Sequence, residues 1–168
     1  GAITPSTSTP GNHTITYTIA AAAGCAPVTA TATVIVNPIP IATATPSTVT
    51  ICSLDTTNIA LTSNAIGTTY AWTSASTNVT GASSATGNSI TDALTATGNT
   101  PGTVVYTITP SGSGCTGLPI LATVTVNPLP TATISGTSSI CYNATSLISF
   151  TGTPNATVSY TINGGPNQ

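Results

Sequence analysis

Val36-Asn37-Pro38-Ile39-Pro40 returns, with one conservative change, as Val126-Asn127-Pro128-Leu129-Pro130, 90 positions further along the chain. That interval is the length of a small domain. Each copy closes a run of alternating β-formers, Thr31 to Val36 and Ala122 to Val126, after which two prolines remove backbone donors and hold the chain extended. The motif reads as a strand end followed by a stiff joint, Pro38 and Pro40 in one copy and Pro128 and Pro130 in the other.

Other landmarks keep nearly the same spacing, within one residue. Tyr17-Thr18-Ile19 matches Tyr106-Thr107-Ile108, Gly24-Cys25 matches Gly114-Cys115, Ile51-Cys52 matches Ile140-Cys141, and Tyr70 falls opposite Tyr160. A recurrence this regular is the mark of a repeat array. The expected organisation is one complete unit over residues 39–128, preceded by the C-terminal half of a unit over 1–38 and followed by an N-terminal half over 129–168. With no Met and no charged or apolar leader, Gly1 is not expected to be a translation start, and the chain reads as a piece of a longer polymer.

Composition narrows the class. An average domain carries about 25% charged residues, whereas only 1% of this chain is charged and Lys and Arg are absent. Without cations a surface does not neutralise phosphates, so neither nucleic acid nor anionic membrane is an expected partner. The 39% of hydrophobic residues, rich in Val, Ile and Ala, suffices for the core of a small domain and argues against disorder. No apolar run approaches the roughly 18 residues of a membrane span.

Strands are expected at His13 to Ile19 and Thr29 to Asn37, with Ala20 to Ala23 as a loop because Gly24 ends a run too short to nucleate a helix. The complete unit offers seven more: Ile41 to Thr45, Thr48 to Ile51, Asn58 to Thr62, Thr68 to Thr73, Ser89 to Leu94, Thr103 to Thr109 and Ile120 to Asn127. Gly, Pro, Asn and Ser cluster between them, and no segment has helical periodicity with caps. The pattern predicts an all-β fold of tandem immunoglobulin-like Greek-key β-sandwiches joined by short Pro-rich linkers. Tyr70 and Trp72 share a strand face, which makes Trp72 the expected central core residue, with Tyr70 and Tyr106 beside it. After Pro128 the pattern restarts with Thr131 to Ile134, Ser146 to Thr151 and Thr157 to Asn163.

Four cysteines in so polar a chain suggest an oxidising compartment. Cys52 follows the early strands and Cys115 the penultimate one, so a disulfide between them across one end of the sandwich is expected, contributing roughly 4 kcal/mol. Free thiols and a metal site are the competing readings, though neither CxxC nor His partners exist for a metal. By the repeat register Cys25 takes the role of Cys115, and Cys141 that of Cys52. Their partners are then expected before Gly1 and after Gln168.

Tyr70-Ala71-Trp72-Thr73, Asn78-Val79-Thr80-Gly81, Pro101-Gly102-Thr103-Val104-Val105-Tyr106, Gly114-Cys115 and Ala122-Thr123-Val124-Thr125-Val126-Asn127-Pro128 together resemble the PKD-like repeats of very large secreted adhesins in Bacteroidota. Cys141 to Asn163 looks like a second repeat type of the same proteins. The resemblance implies β-sandwiches strung end to end, export by a type IX secretion system, and a cell-surface fibre used for attachment or gliding motility.

No catalytic constellation is found, and no enzyme, cofactor or metal site is expected. His13, Asp55 and Asp92 are dispersed, whereas a triad needs an oriented base and carboxylate chemistry needs two acids in one cleft. Calcium through Asp55 and Asp92 would recruit fewer carboxylates than such sites use. The abundant Thr suits half-buried strands, against an ice-like array or a glycan-bearing surface. Asp55-Thr56-Thr57 resembles a Bacteroidota O-glycosylation signal with Thr56 as acceptor; Asn12, Asn78, Asn143 and Asn155 match the N-glycosylation pattern, which matters only in a eukaryotic secretory pathway.

Two functions follow. One is a spacer in an extracellular adhesin fibre, whose partners are neighbouring repeats of the same chain, laterally associated copies or surface glycans. The other is a carbohydrate-binding or accessory module of a secreted hydrolase, which normally shows an exposed aromatic platform.

Overall fold

In Gly102–Gly112 every second side chain from Gly102 to Pro110 is buried, and the residues between them, mostly threonine, are half-covered. The same period of two runs through Ile120–Asn127, where Ala122, Val124 and Val126 are buried. One buried and one wetter face is what a strand in a two-layer sandwich presents. The computed structural model describes residues 4, 7–21, 23–153 and 157–161. Its regular elements are strands.

In chain order these are β1 (Gly11–Ile19), β2 (Val28–Val36), β3 (Ala42–Thr45), β4 (Thr48–Cys52), β5 (Ile59–Ser63), β6 (Thr69–Thr77), β7 (Val79–Thr80) and β8 (Ala85–Thr86). There follow β9 (Ser89–Ile90), β10 (Thr95–Ala96), β11 (Gly102–Gly112), β12 (Cys115–Thr116), β13 (Ile120–Asn127), β14 (Ala132–Gly136) and β15 (Ile148–Gly152). The larger central sheet has the order β4-β13-β11-β6-β8, with β12 folded back on β11, and the smaller has the order β3-β5-β9. The chain changes sheets at Pro46 and Ser47: β3 pairs antiparallel with β5, whereas β4 lies parallel to β13 in the other layer. The middle of the chain is thus an all-β, open sandwich of immunoglobulin-like kind.

One core lies between the layers. Ile59 and Leu61 of β5, Ile90 of β9 and Leu94 share it with Tyr70 and Trp72 of β6, with Val104, Tyr106 and Ile108 of β11, and with Val124 of β13. Trp72, the only tryptophan, is 6% exposed.

Some strands differ from expectation. β6 continues four residues past Thr73 because Ser74 to Thr77 find partners on β11. The expected strand from Ser89 to Leu94 ends at Ile90, and beyond it Asp92 O accepts from Thr57 N–H while Leu94 N–H donates to Asp55 O. Residues 157–161 carry no strand, and the remainder of the one expected from Thr157 to Asn163 lies outside the described residues, as do Ala22 and Asn155. β7, β8, β10 and β12 were not expected; each is two residues long.

The outer segments form separate hairpins, β1 with β2 and β14 with β15. Ile15, Tyr17 and Ile19 pair with Ala32, Ala30 and Val28, and Ile134 pairs with Phe150. These apolar side chains remain exposed, Tyr17 at 68%.

Replacing Trp72 by Ala removes the largest side chain of the β6 inner face. The expected loss is roughly 3–5 kcal/mol, read from the denaturation midpoint followed by circular dichroism.

Candidate functional site

Asp92 follows β9 and turns its carboxylate toward the core. Its Oδ2 accepts from the Tyr106 hydroxyl at 2.7 Å and from Ser83 N–H at 2.9 Å, while Oδ1 accepts from Ser83 Oγ at 2.6 Å. Asp92 N–H donates to Thr57 Oγ1 at 2.9 Å, and Thr57 Oγ1–H donates to Ile90 O at 3.1 Å. Burial, and then the hydrogen-bonded Asp92 carboxylate, push the Tyr106 phenol far above its usual range. The cluster is therefore a satisfied polar lock between layers, with the phenol held neutral.

Asp55 serves a different turn, its Oδ2 accepting from Cys52 N–H at 3.1 Å. Thr56 is exposed and makes an isolated bridge to Ala93. His13 Nε2, on β1, donates to Thr9 O at 2.7 Å. Among the described residues no three of His, Cys, Asp and Glu gather in a way that could hold a metal.

The expected Cys52–Cys115 disulfide does not form. Cys52 ends β4 beside Asn127, level with the start of β11, whereas Cys115 pairs with Gly112 at the far end of that strand. Ten residue steps along β11 separate the two ends by about 33 Å, and a bridge needs Cα atoms within roughly 7 Å. All four cysteines are free thiols, with Cys25, Cys52 and Cys141 exposed and Cys115 half-buried.

The repeated proline motifs sit at the two ends of the sandwich. At the upper end, Pro40 is fully buried and Pro38 half-buried. Asn37 Nδ2–H donates to Ser113 O at 2.8 Å, and Ile41 N–H donates to Asn64 Oδ1 at 2.7 Å. Gly117 lies so close that a Cβ there would stand 1.9 Å from Pro40 O. The segment after β2 is thus clasped by the turn after β11. At the lower end, Asn127 O accepts from Ser53 N–H at 2.7 Å, and Pro128 and Leu129 border a cleft shared with Ser53, Leu54 and residues 95–99. Pro128 is half-buried and Pro130 exposed. The two joints therefore leave opposite ends of the sandwich.

Sequence reasoning did not find the Asp92–Tyr106 lock or the Asn37–Ser113 clasp. A Tyr at an inward position of a strand was the available signal for the first, since its hydroxyl needs a partner when buried.

Residues 49–130 match the family model of the PKD-like domain. No curated protein and no solved structure matches the chain. Over these residues the central sandwich is similar to the PKD-like domain.

The lock makes stability sensitive to alkali. An unfolded tyrosine ionises near pH 10, but Tyr106 stays neutral in the fold, so its contribution is complete below that pH and falls as the pH rises toward the higher folded value. The slope is about 1.4 kcal/mol per pH unit for one proton. Tyr106→Phe should lower stability at pH 7 and flatten that slope relative to the parent between about pH 10 and 12. Denaturant titrations across this range give both quantities, and equal slopes in the two proteins would refute the assignment.

Proposed function

We propose that the chain is a spacer segment of a long extracellular fibre, built of β-sandwiches set in line by packed proline joints. The observation that carries this reading is the placement of the joints at opposite ends of the sandwich, with the upper one held by Pro40, Gly117 and the Asn37–Ser113 bond. A joint packed in this way resists bending more than a solvated linker does. The domain assignment into 1–38, 39–128 and 129–168, joined at Pro38, Pro40, Pro128 and Pro130, belongs to the same proposal. So do the cell-surface location, the adhesin and gliding-motility setting, type IX export, O-glycosylation at Thr56 and the absence of enzymatic activity.

Lys and Arg are absent and no helix of the described residues is long and apolar enough to cross a membrane. Neighbouring units are the natural partners of such a segment, with lateral copies or surface glycans as further ones. The alternative of a carbohydrate-binding module lacks support from Trp72, Tyr70 and Tyr106, all of which face the core.

X-ray scattering from dilute, reduced protein tests the arrangement. A compact chain of this length has a radius of gyration of about 15 Å, whereas an in-line sandwich flanked by two nine- and five-residue hairpins should give roughly 25 Å or more. Gly117→Ala should broaden the distribution of shapes by dislodging Pro40. A compact parent protein would overturn the spacer reading.

A further inference from the structure

β4 is an edge of the larger sheet: β13 lies on one side of it, and among the described residues no strand lies on the other. It is the longest edge strand of the sandwich, five residues against four for β3 and two each for β8 and β9. At the opposite edge of the same sheet the backbone is already engaged, Ser74 N–H donating to Ser84 Oγ at 3.2 Å and Gly87 N–H to Tyr70 O at 3.1 Å.

The groups that β4 turns outward follow from its ladder. Thr123 N–H donates to Ser47 O at 2.9 Å, and Ser53 N–H donates to Asn127 O at 2.7 Å. Between these two bonds a parallel ladder engages every second residue of the strand. Ser47, Val49, Ile51 and Ser53 therefore face β13, while Thr48, Thr50 and Cys52 turn their N–H and C=O groups away from it. Cys52 is closed off locally, because its N–H donates to Asp55 Oδ2 and its C=O accepts from Asp55 N–H, both at 3.1 Å. Two positions before Thr48 stands Pro46, which has no N–H to give. The open part of the edge is thus Thr48 and Thr50, framed by a proline on one side and a carboxylate cap on the other.

Such a window complements itself. We propose that two copies of the chain pair along β4, antiparallel and about a two-fold axis, with Thr48 of each opposite Thr50 of the other. The two threonine pairs then exchange four backbone hydrogen bonds. In that register Cys52 falls opposite Pro46 of the second copy, and neither leaves an N–H without an acceptor. A shift by two residues in either direction sets Pro46 or the capped Cys52 against an open threonine, so the frame fixes the register. Val49 meets its own counterpart at the site between the bonds, where opposed side chains approach most closely, and the two half-buried side chains cover each other beside the core. With no Lys or Arg and a net charge of −2, little repulsion opposes the approach of a second copy, and the lysines that commonly guard an edge are missing. The proposal deepens the spacer reading, on which it rests for lateral copies as partners, and gives them a surface and a direction: the paired chains run opposite ways.

Sedimentation in reductant, from about ten micromolar to about one millimolar, tests the pairing, since so small a contact belongs among the weak, transient ones. The parent protein should pass from monomer to dimer over that range. Amide hydrogen exchange at its two ends should show added protection at Thr48 and Thr50 and none at Val49 or Ile51, whose N–H groups already serve the β13 ladder. Thr50→Pro removes an outward N–H and spares that ladder, so it should abolish the dimer while Trp72 keeps the fluorescence of a buried indole. Thr50→Lys places a charge on the edge and should weaken dimerisation roughly ten-fold, whereas Cys52→Ala should leave it unchanged. A parent that stays monomeric throughout, equal association of the parent and both Thr50 variants, or added protection confined to the outer hairpins would each overturn the edge pairing. An elongated monomer would do so and leave the spacer reading standing. A compact chain that still loses its dimer in Thr50→Pro would overturn the spacer alone and support the pairing.

Discussion

The central sandwich is built around the alternation of β11, which has a hydrogen-bonded neighbour on each side, β13 and β6. Because both edges of the strand are occupied, its inner residues have to fill the space between layers without distorting either ladder. Gly102 is there because a Cβ would stand 2.5 Å from Asn78 O, and Val79 closes over it. Tyr106 fills the widest part with its ring, and its hydroxyl then needs an acceptor at the layer edge. Asp92 supplies it, which explains why one of only two acidic residues is spent on the core.

The outer face of the larger sheet answers a different constraint, the near absence of charge. Thr77, Thr103, Thr125 and Thr50 stand in one row across β6, β11, β13 and β4. Hydroxyls keep this face wet while the β-branched carbons favour the strand. Such a surface offers no cation for phosphate and no ion pair to be screened, so its packing against neighbours depends little on salt. Uncharged strands also lack the lysines that usually discourage edge pairing, which leaves the protein's own joints and sheet order to decide what pairs with what.

The longest strands were legible because their burial follows the period of the sequence: β11 and β13 alternate almost without interruption. β7, β8, β10 and β12 were not, since two residues carry no period, and their pairing is settled by tertiary contacts. The extension of β6 through Ser74 to Thr77 is invisible for the same reason: the partner strand selects it. The cysteine pairing was misjudged on direction. β4 runs parallel to β13, so Cys52 lies at the end where β13 finishes, while the turn after β11 lies at the end where β13 begins. Following strand direction through the sheet exchange at Pro46 places the two thiols apart.

That same exchange determines how the sandwich responds to a pull along the proposed fibre. The chain comes in at the upper joint, passes through β3 into β4, and leaves through β13 at the lower one. β4 and β13 are parallel and paired from Thr48 with Thr123 to Cys52 with Asn127. Tension applied at the two joints draws these strands past each other, so the ladder bonds lie across the force and are loaded together. An antiparallel terminal pair joined at one end would open one bond at a time. The parallel pairing is slightly weaker per residue at rest, yet in shear its bonds share the load, and the core side chains Val124 and Val126 have to leave their sites in the same step. Sheet exchange thus couples the ladder and the core in resisting extension, a property suited to a stalk.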